Sequence, residues 1–256
     1  MLPVGLYDTL EIRVEKEQSF GSDLPGLKGD SSNLVIRAAE LFNRTAAIDA
    51  CYNVRLEKKI PLGAGLGGGS SDAAATLLLL NQLHRSPLSL PELRGLATEL
   101  GSDVPFFIHA QSSWCTSRGE IMEPREFPRG LWILLVKPGF GVSTAEAYRA
   151  FAALPAVQKK GREANTPWGR VRNDLEPAVF PKYLLLPIMR GWFETQPDSI
   201  LSLMSGSGST IFAIVRSQTQ GEILRRAFQR VFDERIWTSV CQLNPEPSES
   251  LEIKTT

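Results

Sequence analysis

The stretch of this sequence best suited to chemistry is Pro61-Leu62-Gly63-Ala64-Gly65-Leu66-Gly67-Gly68-Gly69-Ser70-Ser71, five glycines and two serines leading into an apolar run. Glycine has no Cβ and enters positive φ freely, so such a chain can curl tightly and point successive N–H groups at one spot. Beyond it, Ala73, Ala74, Ala75, Leu77, Leu78, Leu79, Leu80 and Leu83 favour helix almost throughout. That sets unpaired N–H groups and the positive end of a helix dipole beside the loop, where an anion is expected. The string Gly63-Ala-Gly-Leu-Gly-Gly68 satisfies G-x-G-x-x-G, but Pro61 interrupts the approach and no acidic residue closing a second strand follows about twenty residues on, so a dinucleotide site is not supported. A Walker A loop is excluded because Gly69-Ser-Ser-Asp72 carries no lysine. A phosphate cradle of a third kind remains, against the alternative of a glycine-rich helix start that serves packing alone.

Two further features fit phosphoryl transfer. In Gly101-Ser-Asp-Val-Pro-Phe-Phe107, Asp103 leaves a helix and Pro105 favours extended backbone ahead of an apolar strand, giving a fixed carboxylate; its alternative is a turn-forming Asx residue. Ser205-Gly206-Ser207-Gly208-Ser209-Thr210 is a second small-residue loop between two strands, its alternative a plain hairpin turn. The reaction requires a cradle for the γ-phosphate, Mg²⁺ to neutralise it, and a carboxylate that orients or deprotonates the attacking hydroxyl. A lysine for the developing charge would complete the set. The nearest, Lys58 and Lys59, alternate along a strand end and read as solvated.

The elements that must position these residues can be read from periodicity. Leu10, Ile12 and Val14 alternate as one face of a strand, Ser31-Ser-Asn33 caps a helix with Leu34, Val35, Ala38, Ala39, Leu41 and Phe42 inward, and Tyr52, Val54 and Leu56 form another strand. Ser89-Leu-Pro-Glu92 is a capping box opening a helix that stops at Gly101. Up to about residue 123 this reads as one α+β unit. From Gly130 the order is strand 131–137, a helix opened by Ser143-Thr-Ala-Glu146, a helical region 183–193, strands 200–204 and 210–215, a helix 222–232 and a strand 237–242. That is a split βαβ, ferredoxin-like layer. The expected division is therefore 1–125, 126–245, and a flexible tail 246–256 rich in proline, serine and glutamate.

Across 256 residues, 28 lysines and arginines balance 28 aspartates and glutamates, so no basic field attracts nucleic acid or anionic lipid, and small molecules are the expected partners. Cys51, Cys115 and Cys241 are isolated, which argues against a disulfide framework or zinc knuckle and for a reducing, cytoplasmic setting. His84 and His109 read as packing residues. No apolar run reaches the length that spans a bilayer.

Residues 61–75 resemble the nucleotide loop of the GHMP kinases, the galactokinase, homoserine, mevalonate and phosphomevalonate kinase family. The triple glycine followed by Ser-Ser-Asp-Ala-Ala is most similar to the branch acting on a cytidine-diphosphate-linked methylerythritol in non-mevalonate isoprenoid synthesis. Leu6-Tyr-Asp-Thr-Leu10, Gly101-Ser-Asp-Val-Pro-Phe-Phe107, Arg118-Gly-Glu120, Lys137-Pro-Gly139, Val142-Ser-Thr144, Asn173-Asp-Leu-Glu176 and Met204-Ser-Gly-Ser-Gly-Ser-Thr210 fall in the same order as in that family. The resemblance implies an α+β fold of two domains, a ribosomal-protein-S5-domain-2-like N-terminal domain and a ferredoxin-like C-terminal one. It implies ATP-dependent phosphorylation of a 2-hydroxyl, with residues 61–71 on the ATP phosphates, Asp103 as catalytic acid/base, Ser71 as a Mg²⁺ contact, Gly206, Ser207, Gly208 and Ser209 on the substrate, and a monomer or homodimer. The family opens with a Pro-Ala-Lys-Ile-Asn-Leu type segment carrying a second catalytic lysine, then an Asp-Gly-Tyr-His type segment that grips the cytosine. This sequence starts after both, so the expectation is a start codon further upstream. The alternatives are a nucleotide-binding remnant without turnover and a kinase for another small alcohol.

Overall fold

The computed structural model describes residues 1–116 and 121–246, and the chain divides into two compact units, Met1–Ile60 with Gly67–Glu126, and Pro61–Leu66 with Phe127–Pro245. The motif Arg118-Gly-Glu120 and the tail 247–256 lie outside the described residues.

In the first unit, strands β1 (Thr9–Glu15), β2 (Ser19–Ser22) and β3 (Cys51–Glu57) form a sheet ordered β1-β3-β2. β1 runs antiparallel to β3, pairing Ile12 with Val54, while β2 runs parallel to it, pairing Phe20 with Val54. Four helices follow the pattern of their caps: α1 (Leu34–Ala46), α2 (Gly68–Leu83), α3 (Leu90–Leu100) and α4 (Val104–His109). Asn33 caps α1, its side-chain oxygen accepting from the Val35 amide at 3.0 Å, and Ala47 stops it in a left-handed conformation. Val35, Ala38, Ala39 and Phe42, spaced for one helical face, bury against α2 and the sheet residues Tyr52, Val54 and Leu56. Ala73, Ala74, Leu77 and Leu80 place α2 at the centre of this core. The reciprocal Ser89–Glu92 capping box starts α3 as the sequence indicates. A hairpin, β4 (Ser113–Thr116) and β5 (Ile121–Pro124), ends the unit.

Leu10, Ile12 and Val14 alternate along β1 as expected, with Leu10 and Ile12 against the core and Val14 51% exposed. One expectation fails: the segment after Asp103 is the helix α4, with Asp103 at its N-cap, where a strand was expected. Pro105 sits in the first helical turn, where a missing N–H costs nothing and a fixed φ suits a helix.

The second unit is the split βαβ layer. Its strands β6 (Trp132–Lys137), β9 (Leu201–Met204), β10 (Ile211–Val215) and β11 (Trp237–Gln242) form one antiparallel sheet in the order β11-β6-β10-β9. Between the strands come α5 (Thr144–Ala153), a small hairpin β7 (Ala164–Thr166) and β8 (Gly169–Val171), α6 (Glu176–Val179), α7 (Leu185–Glu194) and α8 (Gln218–Val231). Ser143 and Ser217 cap α5 and α8 through their hydroxyls. The core joins Leu134, Val136, Ile211 and Ala213 of the sheet to Leu186, Met189 and Phe193 of α7 and Leu224 and Phe228 of α8, with the Phe193 and Phe228 rings stacked at 5.3 Å.

Candidate active site

The glycine loop is held by its carbonyls. Within the second unit, Thr210 donates its amide to Ala64 O at 3.1 Å, Ser209 its amide to Gly63 O at 3.4 Å, and Ser205 its hydroxyl to Gly65 O at 2.8 Å. Three successive carbonyls are thus committed to the 205–210 turn. The approach is close: a Cβ on Gly65 would stand 2.3 Å from Ser205 O and 2.7 Å from Gly208 O. Gly63, Gly65 and Gly67 all have positive φ, between 61° and 71°. By contrast, no amide from Leu62 to Ser70 donates a hydrogen bond among the described residues. The last of these open α2, whose N-cap Gly67 offers no side chain to satisfy them. A row of free donors running into a helix N-terminus fits an anion of several oxygens.

The turn that grips the loop is itself braced. Asn173 donates through Nδ2 to Met204 O and to Gly206 O, both at 2.7 Å, and the Glu176 carboxylate accepts from the Met204 amide at 2.9 Å. Glu176 is buried against Arg190 at 2.9 Å, and its burial, opposed by that amide and that guanidinium, raises its pKa above the usual carboxylate value. Ser207 meets Thr144 at 3.0 Å and Ser209 donates to Phe140 O at 2.6 Å. Of the four turn residues read from the sequence, Gly206 is exposed, whereas Ser207, Gly208 and Ser209 are buried with both hydroxyls engaged inside the unit.

Asp103 is solvent-exposed at the start of α4 and its carboxylate caps nothing. The protein packed around it raises its pKa above the ordinary value by desolvation. From the same helix Phe107 lies against Gly67, where a Cβ would come within 2.8 Å of its ring. Ser71, in the first turns of α2, is half-buried and its hydroxyl is free of hydrogen bonds among the described residues. No group of three or more His, Cys, Asp or Glu side chains could hold a metal among the described residues. The Ser71 hydroxyl is one oxygen that could contact a magnesium ion carried on phosphate oxygens.

Lys58 corrects its sequence reading. Its side chain is 3% exposed, ion-paired to Asp8 and to Asp72, the latter at 2.6 Å, while Lys59 is exposed as expected. Asp8 also accepts from the amides of Lys59 at 2.6 Å and Ile60 at 2.8 Å. Burial pushes the Asp72 carboxyl up to about 6, with Lys58 opposing and Asp8 adding to the rise. Sequence reasoning passed over Asp8 and Asp72. The available signal for Asp72 was an aspartate placed directly before the apolar run Ala73 to Leu80 of a helix. His84 bonds the Tyr52 hydroxyl at 2.9 Å as a packing residue, and Cys51, Cys115 and Cys241 form no disulfide among the described residues.

A ferredoxin-like sheet whose turn fixes a glycine loop, joined through that loop to an α+β unit opening on a bare helix start, is the build of a two-domain small-molecule kinase. Residues 33–111 match the GHMP kinases N terminal domain and residues 150–234 the GHMP kinases C terminal domain, and the chain belongs to the GHMP kinase family. Among its relatives, the 4-diphosphocytidyl-2-C-methyl-D-erythritol kinase of Methylacidiphilum infernorum is 42% identical over 223 residues, 84% of this chain and 76% of that one. A solved 4-(cytidine 5'-diphospho)-2C-methyl-D-erythritol kinase superposes with a TM-score of 0.76 at 28% identity, covering 95% of this chain and 88% of that one. Homoserine kinase from Cytophaga hutchinsonii shares the fold, with a TM-score of 0.72 at 20% identity over 93% of this chain and 85% of its own. The two-domain α+β fold expected from the order of elements and the resemblance is the one found.

Proposed function

We propose that this chain transfers the γ-phosphoryl group of ATP to the 2-hydroxyl of 4-diphosphocytidyl-2-C-methyl-D-erythritol in non-mevalonate isoprenoid precursor synthesis. The observation that carries the reading is the glycine loop with the carbonyls of Gly63, Ala64 and Gly65 committed and its amides from Leu62 to Ser70 unpaired among the described residues. Those amides, with the N-terminus of α2, bind the phosphate oxygens, and because the turn at 205–210 fixes them beforehand they need no reorganisation as charge shifts in the reaction. Asp103, whose carboxylate makes no helix-cap hydrogen bond and whose pKa is raised by desolvation, accepts the proton of the acceptor hydroxyl as the oxygen attacks phosphorus. The Ser71 hydroxyl would hold Mg²⁺, which when bound neutralises charge on the phosphates. Gly206 offers exposed backbone to the substrate, and Ser207, Gly208 and Ser209 act from beneath by holding the loop. The even charge balance suits small-molecule partners and a cytoplasmic setting, with the chain a monomer or homodimer; none of the helices among the described residues is long and apolar enough to cross a membrane.

The test is ADP release with ATP and three acceptors compared in one assay: the cytidine-diphosphate-linked methylerythritol, mevalonate and homoserine. Turnover with the first and not the others is expected. Turnover only with another alcohol, or ATP binding with no transfer to any, overturns the assignment.

A further inference from the structure

The Asp8–Lys58–Asp72 cluster holds three ionic side chains almost wholly out of water. Buried ion pairs repay their desolvation poorly, and apolar replacements often leave stability unchanged or raise it. Packing alone gives no reason for the group. Its connectivity does. One carboxylate, Asp8, takes the Lys58 ammonium and the amides of Lys59 and Ile60, so it fixes the three residues that lead directly into Pro61. The same ammonium bonds Asp72 in the opening turns of α2, directly after Ser71. Lys58 therefore ties the segment leading into the glycine loop to Asp72, the residue after it. Its Nζ also lies 3.4 Å from where a Cβ of Gly68 would stand, at the first residue of α2.

We infer that Asp8, Lys58 and Asp72 are positioning residues that set the separation and aim of the two ends of the glycine loop, and so the geometry in which its amides meet phosphate. This rests on the reading that the loop binds ATP. With a flexible glycine segment between, small errors at the two anchor points become misaligned donors, and hydrogen bonds weaken steeply with angle. The cluster touches no reacting atom in this account. Its effect belongs to nucleotide binding.

The experiment is ATP binding by calorimetry with the thermal midpoint measured in parallel. Asp72→Leu removes the tie to α2 while leaving Lys58 paired with Asp8, and should weaken ATP binding about tenfold with the midpoint at or above that of the wild type. Asp72→Asn keeps an acceptor for the ammonium and should stay within about threefold. Lys58→Met/Asp72→Asn removes the tie from the other end and should reproduce the loss. KM for ATP should rise in step, with kcat changed less. Unchanged ATP affinity in Asp72→Leu or in the double variant overturns the inference, as does Asp72→Asn losing as much as Asp72→Leu. A wild-type chain that binds ATP, and loses it in Gly68→Val, keeps the loop reading even where the cluster variants refute this one. Absence of ATP binding in the wild type overturns both.

Discussion

Replacing Gly65 with alanine tests whether the grip of the 205–210 turn on the glycine loop is real. At φ 71° the residue is left-handed, a conformation costing an alanine about 1 to 2 kcal/mol. The added Cβ would meet Ser205 O at 2.3 Å, Gly208 O at 2.7 Å and Gly208 N at 3.0 Å. All three are backbone atoms, so no side chain can swing away and the two segments must part. Such overpacking adds about 1 to 3 kcal/mol. Parting them also strains the bonds from Ser205 to Gly65 and from Thr210 to Ala64. The total, about 2 to 5 kcal/mol, lowers the thermal midpoint by roughly 4 °C or more for a chain of this size. Gly95→Ala is the control. It lies exposed in the middle of α3 with nothing within 4 Å of the new methyl, and should stabilise by about 0.5 to 1 kcal/mol. Scanning calorimetry of both variants, with ATP affinity on the same samples, reads the result. A Gly65→Ala protein melting within about 1 °C of the wild type would refute the packing described here.

Asp103→Asn should lower kcat by about 10² to 10⁴ while ATP affinity stays near the wild-type value; equal losses in both would make the carboxylate structural. Asn33→Ala removes the cap of α1 and should cost about 1 kcal/mol in urea unfolding, and a change within error would deny the cap its weight. Asp72, raised to about 6 in the fold between Lys58 and Asp8, binds a proton more readily folded than unfolded. Its contribution is therefore complete below the unfolded value of 3.8 and is lost as pH climbs through about 6. Unfolding of Asp72→Asn against the wild type at several pH values should show the variant gaining relative stability across that window; a flat difference contradicts the raised value.

Most of the second unit was legible because its signals are local. Apolar runs mark the strands, Ser143 caps its helix, and the order of elements admits few sheet arrangements, although the last helix begins at Gln218 on a Ser217 cap and not at 222 as read from the sequence. The glycine loop was legible for the same reason: free amides at a helix start follow from glycine and from what comes after it. What escaped depends on distant partners. Val104–His109 is short and apolar, a length at which strand and helix cannot be told apart by period, and Pro105 permits a first helical turn as readily as it favours extension. Ser19–Ser22 joins β3 in parallel with almost no apolar alternation of its own. Lys58 looks solvated in any window around it, since the carboxylates that bury it come from Asp8 and Asp72. The hydroxyls of Ser207 and Ser209 look available in a serine–glycine string, and are spent on Thr144 and Phe140.

Pro61–Leu66 belongs with residues translated much later, while the chain on either side of it belongs with residues translated around it. On the ribosome, where early segments organise first, these six residues must wait for the acceptor-seeking groups of Ser205, Ser209 and Thr210 to emerge. A nascent chain halted before that point would carry the residues of α1 and α2 but none of the groups that hold the carbonyls of the loop. The loop takes its final shape late: the carbonyls of Gly63, Ala64 and Gly65 find their partners only once Ser205 to Thr210 exist.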